Sequence, residues 1–296
     1  MHSRPLSIVL LLIAVVIWGA AYVVTKSGLS ELPPMLFALL RYCVASLLLV
    51  PLALARGGLA KLPRPVPWKT LALMALNGVA LYYLLFNIAL THTTASHVAL
   101  IQSSFPAVMA IMAVLWLHER LTRQRVLGIV LAVAGVALIV ARNEPDASAR
   151  DPFIGNVLTF GSVLLWTVYT ILAKRVADAD AIAVTAIVAV LGTIMLVPAA
   201  LIENANAPIP SISAESWFKI VYLGALASAV AYLLYNRALR DVDASLAGIF
   251  TNLSPVIGVI SGVIFLGESM TLTAILGGVL VLGGVLISSP RSTGAR

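Results

Sequence analysis

Residues 75 to 140 and 224 to 289 align with one another at a constant spacing of 149 positions without a gap. A chain that repeats itself over such a length folds as two copies of one unit. Tyr83, Asn87, Ala95, Ser96, Pro106, Leu117, Glu119, Thr122, Gly128 and Gly135 recur as Tyr232, Asn236, Ala244, Ser245, Pro255, Leu266, Glu268, Thr271, Gly277 and Gly284. A spacing of 148 relates Trp18 and Lys26 to Trp166 and Lys174, so the duplication reaches through most of each half, and the units divide as 1–145 and 146–296.

Each unit is too apolar for water. Hydrophobic residues make up 61% of the chain and charged residues 10%, with a mean hydropathy of +1.04, more than a soluble core of this length could hide. The solvent is a lipid bilayer, and membrane lipids are the first partner. The net charge of +7 is then no sign of nucleic acid, because orientation in a membrane already calls for Lys and Arg near one surface. Cys43 is the only cysteine, which excludes an internal disulfide and a thiolate metal cluster. Nothing in the sequence implies a cofactor.

About 20 apolar residues in a helix cross the roughly 30 Å hydrocarbon layer. Ten such runs follow one another, near 6–25, 34–55, 69–89, 95–117, 123–141, 153–173, 181–202, 216–236, 244–266 and 271–289. The first could be read as a cleaved leader, with Arg4, an apolar stretch and small residues in order. Trp18 and Lys26 have counterparts deep in the chain, however, and a leader would not be duplicated. With the N-terminus in the cytoplasm, 14 of the 19 basic residues fall on inner segments, so both termini are expected there, in the inner (plasma) membrane. Five helices per unit is odd, so the second copy enters from the opposite side. The segment after the fourth run carries Arg120 and Arg123 beside Glu119, whereas its duplicate around Glu268 carries no basic residue. The expected fold is an all-α integral membrane protein, ten helices in two inverted five-helix repeats around a central cavity.

The Trp18-Gly19 element, Arg41 in the second run, and the paired units Pro106/Glu119 and Pro255/Glu268 resemble the drug/metabolite transporter superfamily in its ten-helix EamA-type form. The resemblance covers essentially the whole chain. It implies inverted repeats around a cavity and export of amino acids or other metabolites. One departure is Arg41, whose repeat position is Val188.

Physical reasoning selects candidate site residues. Pro106 and Pro255 fall within spans, where each removes a backbone donor and frees the carbonyl four residues earlier. Freed polar groups survive in a membrane only against protein or a wet cavity. Around them cluster Gln102 and Ser103 in one half and Thr251, Asn252 and Ser254 in the other, so the prolines are candidate hinges and the polar residues candidate substrate contacts. Tyr83 and Asn87, like Tyr232 and Asn236, share a helix face; the asparagines suit helix locking equally well, and Tyr82 looks to another face. Trp18 with Tyr22, and Trp166 with Tyr169, offer aromatic walls that could hold apolar groups or cations. Arg41 is the one charged side chain well inside a span, and such a residue marks a substrate path or a structural lock. His97, near the outer end of the fourth run, reads first as a hydrogen-bonded wall residue of the site, and it is also the best in-span candidate for carrying a proton. Gly128, Ala132 and Gly135, with Gly277, Val281 and Gly284, read as scaffold for close helix contact or for a homodimer.

A membrane enzyme would need a nucleophile with a base, paired carboxylates or a metal cluster in the membrane, and no span holds an acidic pair. A channel would line a continuous path with charges or carbonyls. Two inverted halves with paired hinges suit a carrier of a small-molecule substrate better than either.

Overall fold

The computed structural model describes residues 4–117, 123–141, 150–205, 211–242, 247, 250–251 and 253–288. Among these the chain is helical, without strands. Its helices are α1 Arg4–Gly28, α2 Pro34–Ala55, α3 Trp68–His92, α4 Ala95–Gln102, α5 Phe105–Leu117, α6 Arg123–Ala141, α7 Pro152–Arg175, α8 Ala181–Glu203, α9 Ala214–Ala238, α10 Leu253–Leu266 and α11 Leu272–Ser288. Six of them (α1, α2, α3, α7, α8 and α9) are long and apolar enough to cross a membrane, and α6, α10 and α11 contribute shorter apolar stretches. The protein is a multi-pass membrane protein.

Helix ends follow local chemistry. The side chains of Thr94, Asp151, Asp180 and Ser213 accept from the N–H three residues on, satisfying donors that a first turn leaves open. Gly267 ends α10 at φ +65, a conformation glycine adopts without strain. The expected run 95–117 is two helices, α4 and α5, separated at Ser103 and Ser104. Pro106 cannot donate to the turn before it, and the hydroxyls of Ser103 and Ser104 instead donate to the carbonyls of Leu100 and Ile101 at 2.5 and 2.7 Å. Of the expected run 244–266, the described helix is α10. Glu119 and Asn252 lie outside the described residues.

Both α3 and α9 contain a wide turn, over Leu76–Ala80 and Leu223–Val230. A wide turn loosens the helical ladder and leaves a carbonyl for another donor. Gly78 and Ala227 occupy equivalent repeat positions. The Gly78 carbonyl accepts from the Tyr232 hydroxyl at 2.9 Å, and the Ala227 carbonyl from the Trp18 indole N–H at 3.0 Å. Each bulge is thus satisfied by the opposite half.

Repeat counterparts also touch one another directly. Trp18 meets Trp166 edge to face at 5.4 Å. Ser46 meets Thr193 at 3.0 Å where α2 packs along α8, and these two hold matching positions around Pro51 and Pro198. The long pairing of α6 with α11 is reciprocal as well: a Cβ on Gly135 would fall 2.5 Å from the Gly277 carbonyl, and one on Gly277 2.8 Å from the Gly135 carbonyl, while Gly284 faces Gly128. The small-residue stripes are therefore used within the chain, as scaffold.

Candidate functional site

A cavity of about 80 Å³ lies where the two halves meet, lined by Trp18, Ala21, Tyr22, Thr25, Arg41, Tyr82, Tyr83, Phe86, Gln102, Phe105, Trp166, Tyr232, Thr251, Ser254 and Pro255. At about 30 Å³ per water this is room for two or three waters. The rings interlock. Trp18 contacts Trp166, Tyr232 and Tyr235 with centroids 5.3–5.6 Å apart, and Tyr82 stacks on Phe86 at 5.4 Å. Edge-to-face and offset pairs of this kind hold each other in place, so the wall is a preformed aromatic surface.

Few polar groups interrupt it. Gln102 donates to Ser162 Oγ at 3.0 Å and to the Tyr82 hydroxyl at 3.3 Å, which fixes its amide. Arg41, 2% exposed, donates from Nε to Ser228 Oγ at 2.8 Å, and its guanidinium carbon sits 4.5 Å from the Tyr83 ring centroid. Thr25 Oγ1 is buried without a hydrogen-bond partner.

Of the sixteen residues singled out from sequence, eleven line this cavity: Trp18, Tyr22, Arg41, Tyr82, Tyr83, Gln102, Trp166, Tyr232, Thr251, Ser254 and Pro255. Tyr169 stands one layer behind, stacked on Trp166 at 4.8 Å, with its hydroxyl donating to Asn236 Oδ1. Asn236 in turn donates to Thr185 Oγ1, and Asn87 to the Pro34 carbonyl, so both asparagines join helices. Ser103 is spent on its own helix end, and Pro106 is absent from the wall. His97 packs near Thr93 and Thr94 at the start of α4, its Nδ1 3.4 Å from Thr93 Oγ1. Sequence reasoning missed Ala21, Thr25, Phe86 and Phe105. Spacing could have found Phe86, one turn from Tyr82 and Tyr83 on α3.

Each half carries an equivalent clasp. Lys26 Nζ, near the end of α1, donates to the carbonyls of Leu90 and Thr93 at 2.6 and 2.8 Å. Lys174 Nζ, at the end of α7, donates to those of Leu239 and Val242 at 2.7 and 3.1 Å. Leu90 and Thr93 correspond to Leu239 and Val242 in the repeat. A cation on the open carbonyls of a helix C-terminus is favoured by hydrogen bonding and the helix dipole together. The turn beyond Thr93 is held from its other side by Glu268, whose carboxylate accepts from Ala95 N–H, Ser96 N–H and Ser96 Oγ at 2.7, 2.8 and 2.6 Å. In the loops, Glu31 accepts from the hydroxyls of Ser213 and Ser216, which hold its carboxyl below the usual carboxylate range. Asp241 is lowered likewise, first by Ser7.

The model of the EamA-like transporter family matches residues 5–141 and again 153–289. An uncharacterized transporter of Archaeoglobus fulgidus is 30% identical over 285 residues, covering 95% of this chain and 96% of that one. A probable terminal-alkyne amino-acid exporter of Streptantibioticus cattleyicolor is 26% identical over 97% of this chain and 94% of its own. A probable amino-acid metabolite efflux pump of Escherichia coli is 27% identical over 95% and 93%. One crystal structure superposes with a TM-score of 0.69 at 22% identity, covering 97% of each chain, which extends the likeness to the fold.

Proposed function

The chain belongs to the EamA-like transporter family, and we propose that it is an alternating-access carrier of small organic solutes that exports amino acids or related metabolites through the cavity between its halves. It is a membrane transporter and not an enzyme. The solute binds among Trp18, Tyr22, Arg41, Tyr82, Tyr83, Gln102, Trp166, Tyr232, Thr251 and Ser254, and the named substrates of two relatives support the class. The two units, 1–145 and 146–296, are inverted with respect to each other, giving ten membrane helices with both termini in the cytoplasm of the inner membrane.

One observation carries this reading: equivalent lysines close equivalent turns in the two halves, Lys26 on Leu90 and Thr93, Lys174 on Leu239 and Val242. Inversion puts the two clasps on opposite faces of the membrane, so releasing one opens the cavity to one side only. Contacts between counterparts such as Trp18 and Trp166 support it further, since a residue meets its own counterpart where a two-fold relation passes.

Topology tests the inversion. In a Cys43→Ser background, a cysteine at Ser269 is expected to react with an impermeant thiol reagent from outside, and one at Thr122 only after the cells are opened. Labelling of both from the same side would sink the inverted arrangement.

The break between α4 and α5 has its own test. Pro106→Ala restores a donor and lets the two segments run together, so the variant should reach the membrane in normal amount and transport more slowly. Pro255→Ala is expected to act in the same direction. Unchanged rates in both would leave the prolines as packing features.

A further inference from the structure

Among the described residues, Arg41 is the only charged side chain on the cavity wall, and none of the others there is Asp, Glu or His. No carboxylate pairs with it among the described residues, and its hydrogen-bond partner is the neutral hydroxyl of Ser228. A guanidinium does not give up its proton in a protein. Taking such a charge out of water is costly unless an anion and well-placed hydrogen bonds accompany it; here a hydroxyl and the Tyr83 ring face attend the guanidinium, and among the described residues the wall is left with a fixed net positive charge. Thr25 Oγ1 is a second unsatisfied group on the same wall.

Resting on the carrier reading above, and narrowing its solute class from amino acids to related metabolites, we propose that the solute is an organic carboxylate anion without a free ammonium group, and that the inside-negative membrane potential drives its export. The carboxylate meets Arg41, and an apolar or aromatic body rests against the wall formed by Trp18, Tyr82 and Trp166. A net cation is repelled by Arg41. A zwitterion places its ammonium against neutral hydroxyls and ring faces alone, which compensate a buried charge less well than a carboxylate does. The guanidinium stays in the wall as access alternates, so one negative charge crosses per solute. Among the described residues no Asp, Glu or His on the wall couples that movement to a proton.

A series of similar size and graded charge tests this in purified wild-type protein: N-acetylleucine (anion), leucine (zwitterion) and leucinamide (cation). Binding is read from the change in intrinsic tryptophan fluorescence, to which Trp18 and Trp166 contribute from the cavity wall. N-acetylleucine should bind more tightly than leucinamide by about tenfold or more, the worth of one charge-assisted hydrogen bond, with leucine between. In proteoliposomes, 100 mV should change the steady-state N-acetylleucine ratio by about 50-fold, with accumulation on the positive side. Arg41→Lys, which keeps the charge and loses the fork, should narrow the preference for the anion. Equal binding across the series, or a ratio indifferent to potential, overturns the proposal. An Arg41→Lys protein with an unchanged acid preference and a lower melting temperature overturns it too, by making Arg41 a structural lock. Saturable counterflow of any of these solutes without a charge preference would sink this inference and leave the carrier intact. Saturable counterflow of none, in a wider panel that includes amino acids and cations, would sink the carrier itself.

Discussion

Lys26→Met should expose the cavity to the outer face of the membrane, and Lys174→Met should expose it to the cytoplasm. Each lysine donates two charge-assisted hydrogen bonds to carbonyls at a helix end. Methionine keeps much of the length and removes both. Hydrogen bonds to charged groups contribute about 1.5–3 kcal/mol each when buried. Helix ends near water lower that figure, so about 2 kcal/mol per clasp is a fair expectation, or roughly a 30-fold shift in population. The readout is a cysteine at Ser254, on the cavity wall, in a Cys43→Ser background, probed with an impermeant reagent in right-side-out and inverted vesicles. Labelling from outside should rise in the first variant and from inside in the second. The opposed signs matter most, because general loosening of the protein would raise both together. Shifts of the same sign, or none, would detach the lysines from access and remove the main support for alternation.

Much of this architecture could be read from the residues, and the limits of the reading are physical. Hydropathy locates a span well because the bilayer sets its length. It did not foresee the division of 95–117, since whether a proline kinks or breaks a helix depends on nearby donors and acceptors, here the hydroxyls of Ser103 and Ser104. The wide turns in α3 and α9 left no local trace, because the donors that satisfy them, Tyr232 and Trp18, come from the other half of the chain. Arg41 stood out because a charge inside a span is rare. Phe86 and Phe105 did not, because an aromatic residue on a cavity wall looks the same in sequence as one facing lipid. Tyr169 shares a helix face with Trp166 and was taken with it, yet stacking put it behind the wall.

The lysines show what duplication adds. A lysine near a helix end is ordinary in any membrane protein, and Lys26 alone reads as an interfacial anchor. Its recurrence at Lys174 singles out the position. The four carbonyl contacts then give that position one physical role in both halves.

Glu268→Ala should be strongly destabilising. The side chain is 5% exposed, and its carboxylate accepts three hydrogen bonds where α4 begins, two from backbone N–H groups that have no other partner at a helix start. The helix dipole adds to the attraction. Alanine leaves those donors buried and unmet, each costing about 1–3 kcal/mol, so the loss should be about 3 kcal/mol or more. Glu268→Gln preserves the shape but offers one acceptor oxygen and turns an amide N–H toward a donor, so about 2 kcal/mol is expected. Gly262→Ala attacks the same clasp from behind, since a Cβ there would lie 2.6 Å from Glu268 Oε2 and 2.7 Å from Ser96 Oγ. Melting in detergent should therefore fall in the order wild type, glutamine, alanine, with Gly262→Ala also below wild type. Because α4 carries Gln102 to the cavity wall, loosening its start should weaken solute binding in the same order. A glutamine variant as stable as wild type would show that shape alone holds the turn, and that the negative charge of Glu268 is free for another task.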